Sequence, residues 1–87
     1  MILLKDASLL QILAAYSMME YYCRQKFSNP ELRRKLIAVE EPIVEDNWWN
    51  DIYWGVCNGI GENKLGQILT KIREEALEHM IIENKEE

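Results

Sequence analysis

Glu45, Asp46 and Asp51 alternate with Trp48, Trp49 and Trp54 in one short stretch of the chain. Indole rings stack on bases and sugars, and carboxylates hold ribose hydroxyls. Cleavage of a glycosidic bond needs the same materials: a base to position water, and negative charge to steady an oxocarbenium-like centre. An apolar wall beside a carboxyl raises its pKa, which suits acid or base work. Glu45, Asp46 and Asp51 are therefore candidate catalytic carboxylates, and Trp48, Trp49 and Trp54 candidate stacking residues. The plainer alternative is that the rings cap a thin core and the acids solubilise the loop.

Just downstream, Gly59-Ile60-Gly61-Glu62-Asn63-Lys64-Leu65-Gly66 runs into a helix start. Unpaired amides at such a start can receive a phosphate. Gly55, Gly59 and Gly61 allow close approach of a ligand to the backbone, or positive φ. The run lacks the Lys-Ser/Thr of a P-loop and the spacing of a dinucleotide fold. Its alternative reading is turn geometry, with Asn63 capping the helix. Lys26, in Lys26-Phe27-Ser28-Asn29-Pro30, is a further cation within reach of a ligand phosphate if its loop packs over one.

These residues must be positioned by a small chain. It has 87 residues, 48% of them hydrophobic and 29% charged, with a net charge of -5. That composition belongs to a folded chain, read as a single domain over 1–87. The acidic balance, with no basic block, argues against duplex nucleic acid and against an anionic membrane surface. Two cysteines, Cys23 and Cys57, and one histidine, His79, are too few at ligand spacing for a zinc site. No metal and no cofactor is expected. The apolar start lacks a cleavage site, and Lys5 and Asp6 interrupt any membrane-length run, so the expected location is the cytoplasm with free thiols.

Helical periodicity is plain in three places. From about Asp6 to Phe27, Leu9, Leu13, Tyr16, Cys23 and Phe27 recur at helical spacing, and Leu10, Ala14, Met18, Tyr21 and Tyr22 fill a second face. An arc this wide means either a central helix or a partner along it, a second copy or a complementary chain, and a homodimer burying the first helix is the expectation. Ser28 or Asn29 then caps a short helix beginning at Pro30 and carrying Leu32, Leu36 and Val39. Near Glu62 or Asn63 a third helix opens, with Leu65, Ile68, Leu69, Ile72, Ala76 and Met80 on one side. Lys71, Arg73, Glu74, Glu75 and Glu78 are assigned to its wet side, and the tail from Glu83 is expected to fray. Between the second and third helices lies an irregular Trp- and Gly-rich segment, Glu40 to Glu62, with a short strand near Ile43 to Glu45 if a partner strand exists. The expected class is mainly α, with at most one or two short strands.

The string NDIYWGVCNGIGENKLGQILTKIRE carries an ordered set: Asp51, Trp54, Gly55, Gly61, Asn63, Leu65, Gly66, Leu69 and Arg73. With Lys26-Phe27, Asn29-Pro30, Leu32, Leu36, Val44 and Glu45 upstream, it resembles the C-terminal half of the NADAR (YbiA-like) domain. The resemblance implies an N-glycosidase acting on ribose 5-phosphate or ADP-ribose-linked compounds. It places Asp51 and Trp54 at the ribose and base, the Gly59 to Gly61 backbone and Asn63 at the pocket edge, and Lys26 and Glu45 as accessories. The family's N-terminal half, with its Glu-His-x-x-Gln-like helix, has no counterpart here, and Val39-Glu40-Glu41 stands where the family has Thr-Gly. A partner chain completing the site is expected on that reading. Two other classes remain open: a non-catalytic ADP-ribose or nucleotide-binding module, and a structural or interaction remnant.

Overall fold

The computed structural model describes residues 8–86. Residues 1–7, including Lys5 and Asp6, and residue 87 lie outside it. Three helices and two short strands follow in the order α1 (Leu9–Lys26), α2 (Pro30–Ile37), β1 (Asp46–Asn47), β2 (Val56–Cys57) and α3 (Lys64–Glu86). The chain is mainly α, as its periodicity predicts.

α1 and α2 start where their local chemistry dictates. Ser8 Oγ accepts from the Gln11 amide while Gln11 Oε1 accepts from the Ser8 amide, a reciprocal capping box that opens α1 at Leu9. Asn29 Oδ1 accepts from the amides of Glu31 and Leu32, and Pro30 takes the first helical position of α2. Ser28 serves the other side of this joint, its hydroxyl donating to the Gln25 carbonyl at the end of α1. α2 closes at Ile37, two residues short of Val39, which is exposed rather than part of the apolar side. Arg73 on α3 explains the stop: its Nη1 donates to the carbonyls of Val39 and Glu41 at 2.8 and 2.9 Å, fixing the exit from α2. α3 continues through Glu83 to Glu86, where the polar tail was expected to fray.

The core is small. Cys23, Leu36, Ile68 and Ile72 are buried, with Tyr16, Met19, Phe27, Ile43, Trp54, Leu65 and Leu69 packed on them. Ile68 alone among the described residues is fully enclosed. Burial pushes the Cys23 thiol above its ordinary range, which suits a packing role over a nucleophilic one.

α1 and α3 are clamped by charge. Arg24 donates to both carboxylate oxygens of Glu75, at 2.7 and 3.3 Å, and through Nε to Glu20 at 3.0 Å; Lys71 reaches the other Glu20 oxygen at 3.4 Å. Glu75 is exposed, as expected of the wet side of α3, and Arg73 is half-buried; both nonetheless carry contacts that hold the fold. The hydrogen bond from Arg24 holds the carboxyls of Glu20 and Glu75 below their ordinary 4.5. Depressed carboxylates add stability that is fully present above that value and is lost as pH falls through their folded values. Replacing Arg24 by Ala should cost about 1 kcal/mol near neutral pH, given the solvent exposure of the pair. The variant and the parent should converge as urea melts are carried below pH 4.5, and half-molar salt should narrow the gap between them at pH 7.

Candidate functional site

The Trp- and Gly-rich segment is tied into a knot. β1 and β2 pair in parallel, Asp46 with Val56 and Asn47 with Cys57. The strand therefore sits just after the expected Ile43 to Glu45, and its partner is the stretch that follows Trp54. Asn47, buried, pinches the turn between them: its Nδ2 donates to the Asp51 carbonyl at 2.8 Å, and its Oδ1 accepts from the Asp51 amide at 3.0 Å. Asp51 continues the chain of contacts, Oδ1 accepting from the amides of Tyr53 and Trp54 at 3.1 and 2.9 Å. Among the described residues, no hydrogen bond occupies its second oxygen.

Asn63 holds the other side. Its Oδ1 accepts from the Glu45 amide and its Nδ2 donates to the Ile43 carbonyl, both at 2.9 Å. It precedes α3, and its carbonyl accepts from the Gln67 amide, but φ is +55° and the side chain caps nothing in the helix. The first amides of α3 are satisfied instead by the loop. Glu62, Asn63, Lys64 and Leu65 donate to the carbonyls of Ile52, Gly55, Tyr53 and Trp54 respectively. Those four amides are not free for a phosphate, which narrows the anion-site reading of Gly59 to Gly66.

The glycines serve this knot. A side chain on Gly55 would strike the Glu45 carbonyl, and one on Gly61 the Gly55 carbonyl, so what approaches these backbones is the chain itself. Gly59, φ +79°, forms a two-residue turn with Asn58, φ +52°, closed by hydrogen bonds between Cys57 and Ile60. That is the Asn-Gly hairpin turn with both centres left-handed. Gly66 lies inside α3 beneath the Asn63 side chain and the Ile43 carbonyl. A helical Gly→Ala change ordinarily stabilises by about 1 kcal/mol. Gly66→Ala should reverse that sign here and lower the urea midpoint, because its methyl group meets backbone that the knot holds in place.

The expected site residues divide cleanly. Glu45, Asp51, Trp54, Gly55, Gly61 and Asn63 are brought together by the knot. Trp54 is half-buried, stacked on Tyr16 of α1 with ring centroids 6.5 Å apart and met edge-on by Tyr53 at 4.8 Å. Burial raises the Tyr53 phenol above its ordinary range. Trp49 sits at the rim, 44% exposed and edge-on to Trp48, which is 85% exposed. Lys26 stands apart: it is exposed, lies over the Phe27 ring, and sits ten residues along α1 from Tyr16, about 15 Å by helical rise. Asn47 and Tyr53 also belong to the site. Their sequence signal is faint, an Asn-x-x-x-Asp pair and an aromatic next to Trp.

Two grooves lie nearby. One of about 390 Å³ runs between the helices beside Arg24, Arg33 and His79, and one of about 480 Å³ lies behind Asn63, beside Lys71 and Arg73. Neither is lined by Asp51 or Trp54. Among the described residues no three His, Cys, Asp or Glu side chains gather as a metal site, and no helix is long and apolar enough to cross a membrane.

The chain is similar to a riboflavin biosynthesis protein of Vibrio vulnificus (strain YJ016), 36% identical over 63 residues. The match covers 70% of this chain and 17% of that protein, so the chain spans about a sixth of its relative's length. A match of that extent necessarily includes the middle of the chain, and with it Glu45, Asp51, Trp54 and Gly55. No family model and no solved structure matches.

Proposed function

We propose that the chain carries an N-glycosidase site of the NADAR type, acting on a ribose 5-phosphate-linked compound of the kind handled in riboflavin synthesis. The observation that carries this reading is that Glu45, Asp51, Trp54, Gly55 and Asn63 are bound into a single knot, the first four of them within a stretch similar to a riboflavin biosynthesis protein. In this reading the unengaged oxygen of Asp51, seconded by Glu45, takes a proton from water. The water oxygen bonds to the anomeric carbon, the carbon–nitrogen bond breaks, and the leaving base takes a proton from solvent. Negative charge beside the ring steadies the oxocarbenium-like centre. Trp49 and Trp54 supply apolar faces for the base. Lys26, distant along α1, has no part.

The engagement of Asp51 Oδ1 by two backbone amides favours a second reading, a non-catalytic module that binds ribose phosphates or ADP-ribose. A titration of tryptophan fluorescence with ribose 5-phosphate, and separately with ADP-ribose, tests what both readings share. A saturable change is expected. A flat signal at millimolar ligand would remove both and leave a structural role.

A further inference from the structure

The geometry points to a second copy of this chain as the occupant of the outer face of α1, packed antiparallel across a two-fold axis between Ala14 and Ser17. From Leu9 to Tyr22 the exposed apolar and small residues of that face fall in adjacent pairs every four positions, Leu9 and Leu10, Leu13 and Ala14, Ser17 and Met18, Tyr21 and Tyr22, with the polar pair Gln25 and Lys26 beyond them at the end of the helix. The set is its own mirror about the midpoint of Ala14 and Ser17. Reversing one helix against the other sets Ala14 on Ser17, Leu13 on Met18, Leu10 on Tyr21 and Leu9 on Tyr22. Self-complementarity of this kind is what an isologous interface requires.

A repeat of four is the ridge that packs at a crossing angle of about 50°, steeper than a coiled coil. Two helices crossing so steeply are closest at the midpoint and diverge toward their ends. The side chains follow that shape. The smallest, Ala14 and Ser17, stand at the crossing, and the larger leucines and tyrosines stand where the gap widens. Leu9, Leu10, Tyr21 and Tyr22 are 60–76% exposed, and Leu13 and Met18 about 55%.

Charge agrees with a like partner. Glu20 and Arg24 are turned to α3, so the outer face of α1 carries one charge, Lys26, at its very end. On a chain of net charge -5, this neutral face is where two copies meet with least repulsion. The area allows it: the chain exposes 6808 Å², about 1,400 Å² more than a compact monomer of 10.3 kDa, an excess shared between the outer face of α1 and the end of α3, where Leu77, Met80, Ile81 and Ile82 are also exposed. The pairing stands on these observations alone and does not depend on the proposed chemistry.

The test is solution mass by light scattering, with circular dichroism to confirm the fold of each protein. The parent should show twice 10.3 kDa, and Ala14→Glu should return the mass to 10.3 kDa. Ala14 is exposed, so the glutamate fits a lone helix but fills the crossing point and sets like charges about the axis. A monomeric parent overturns the proposal. So does a dimer that Ala14→Glu leaves intact, which would place the contact on another face, and so does any higher multiple.

Discussion

Asp51→Asn should leave the melting temperature of the protein within about 2 °C of the parent while lowering turnover about 100-fold, the scale of a lost general base. The two effects separate because the two oxygens of Asp51 have different duties. Oδ1 accepts from the amides of Tyr53 and Trp54, and an asparagine oxygen accepts both equally well. The second oxygen is where charge matters, and there asparagine places a neutral amide. Asp51→Ala should behave differently. It leaves two partly buried amides without an acceptor, at about 1 kcal/mol each, and loosens the turn that presents Trp54. For a chain of this size that is a fall of roughly 8–16 °C. If the asparagine variant melts like the alanine variant, Oδ1 is not the structural oxygen. If it turns over like the parent, the carboxylate is not the base.

Asn63→Ala should destabilise the knot by about 3 kcal/mol. Two bonds vanish together, one from the Glu45 amide and one to the Ile43 carbonyl, contributing about 2 kcal/mol. Alanine at φ +55° adds about 1 kcal/mol that asparagine largely avoids. Glycine at the same position loses the bonds but accepts the backbone, so the difference between the Ala and Gly variants should read out that last part alone. Urea unfolding of the three proteins measures it. Equal midpoints for Ala and Gly would show that the left-handed conformation does not persist without the side chain.

Much of the helical frame is visible in residue order because its causes are local. Asn29 followed by Pro30 marks the start of α2, and the stripe from Leu65 to Ala76 marks the buried side of α3, all by interactions within a few positions. The knot is another matter. Asn63 bonds to residues 18 and 20 positions away, and its side chain at a helix start looks like an ordinary cap. Arg24 reaches Glu75 across 51 positions, and Arg73 reaches Val39 across 34, so neither partner has a sequence signature. The Asn58-Gly59 pair does have one, the dipeptide of a tight hairpin turn, and its glycine answers to that turn before any ligand. Asp51, Trp54 and Asn63 were legible as site candidates through a resemblance. What the residues alone do not disclose is that Asp51 and Asn63 also hold the backbone, which is why asparagine at 51 separates chemistry from folding and alanine does not.

The most direct measurement is a proton NMR time course of a ribosylaminopyrimidine 5′-phosphate incubated with the folded protein. The proposed function predicts ribose 5-phosphate and free pyrimidine appearing in equal amounts, through many turnovers per chain. Substrate that stays intact, bound or unbound, would contradict it.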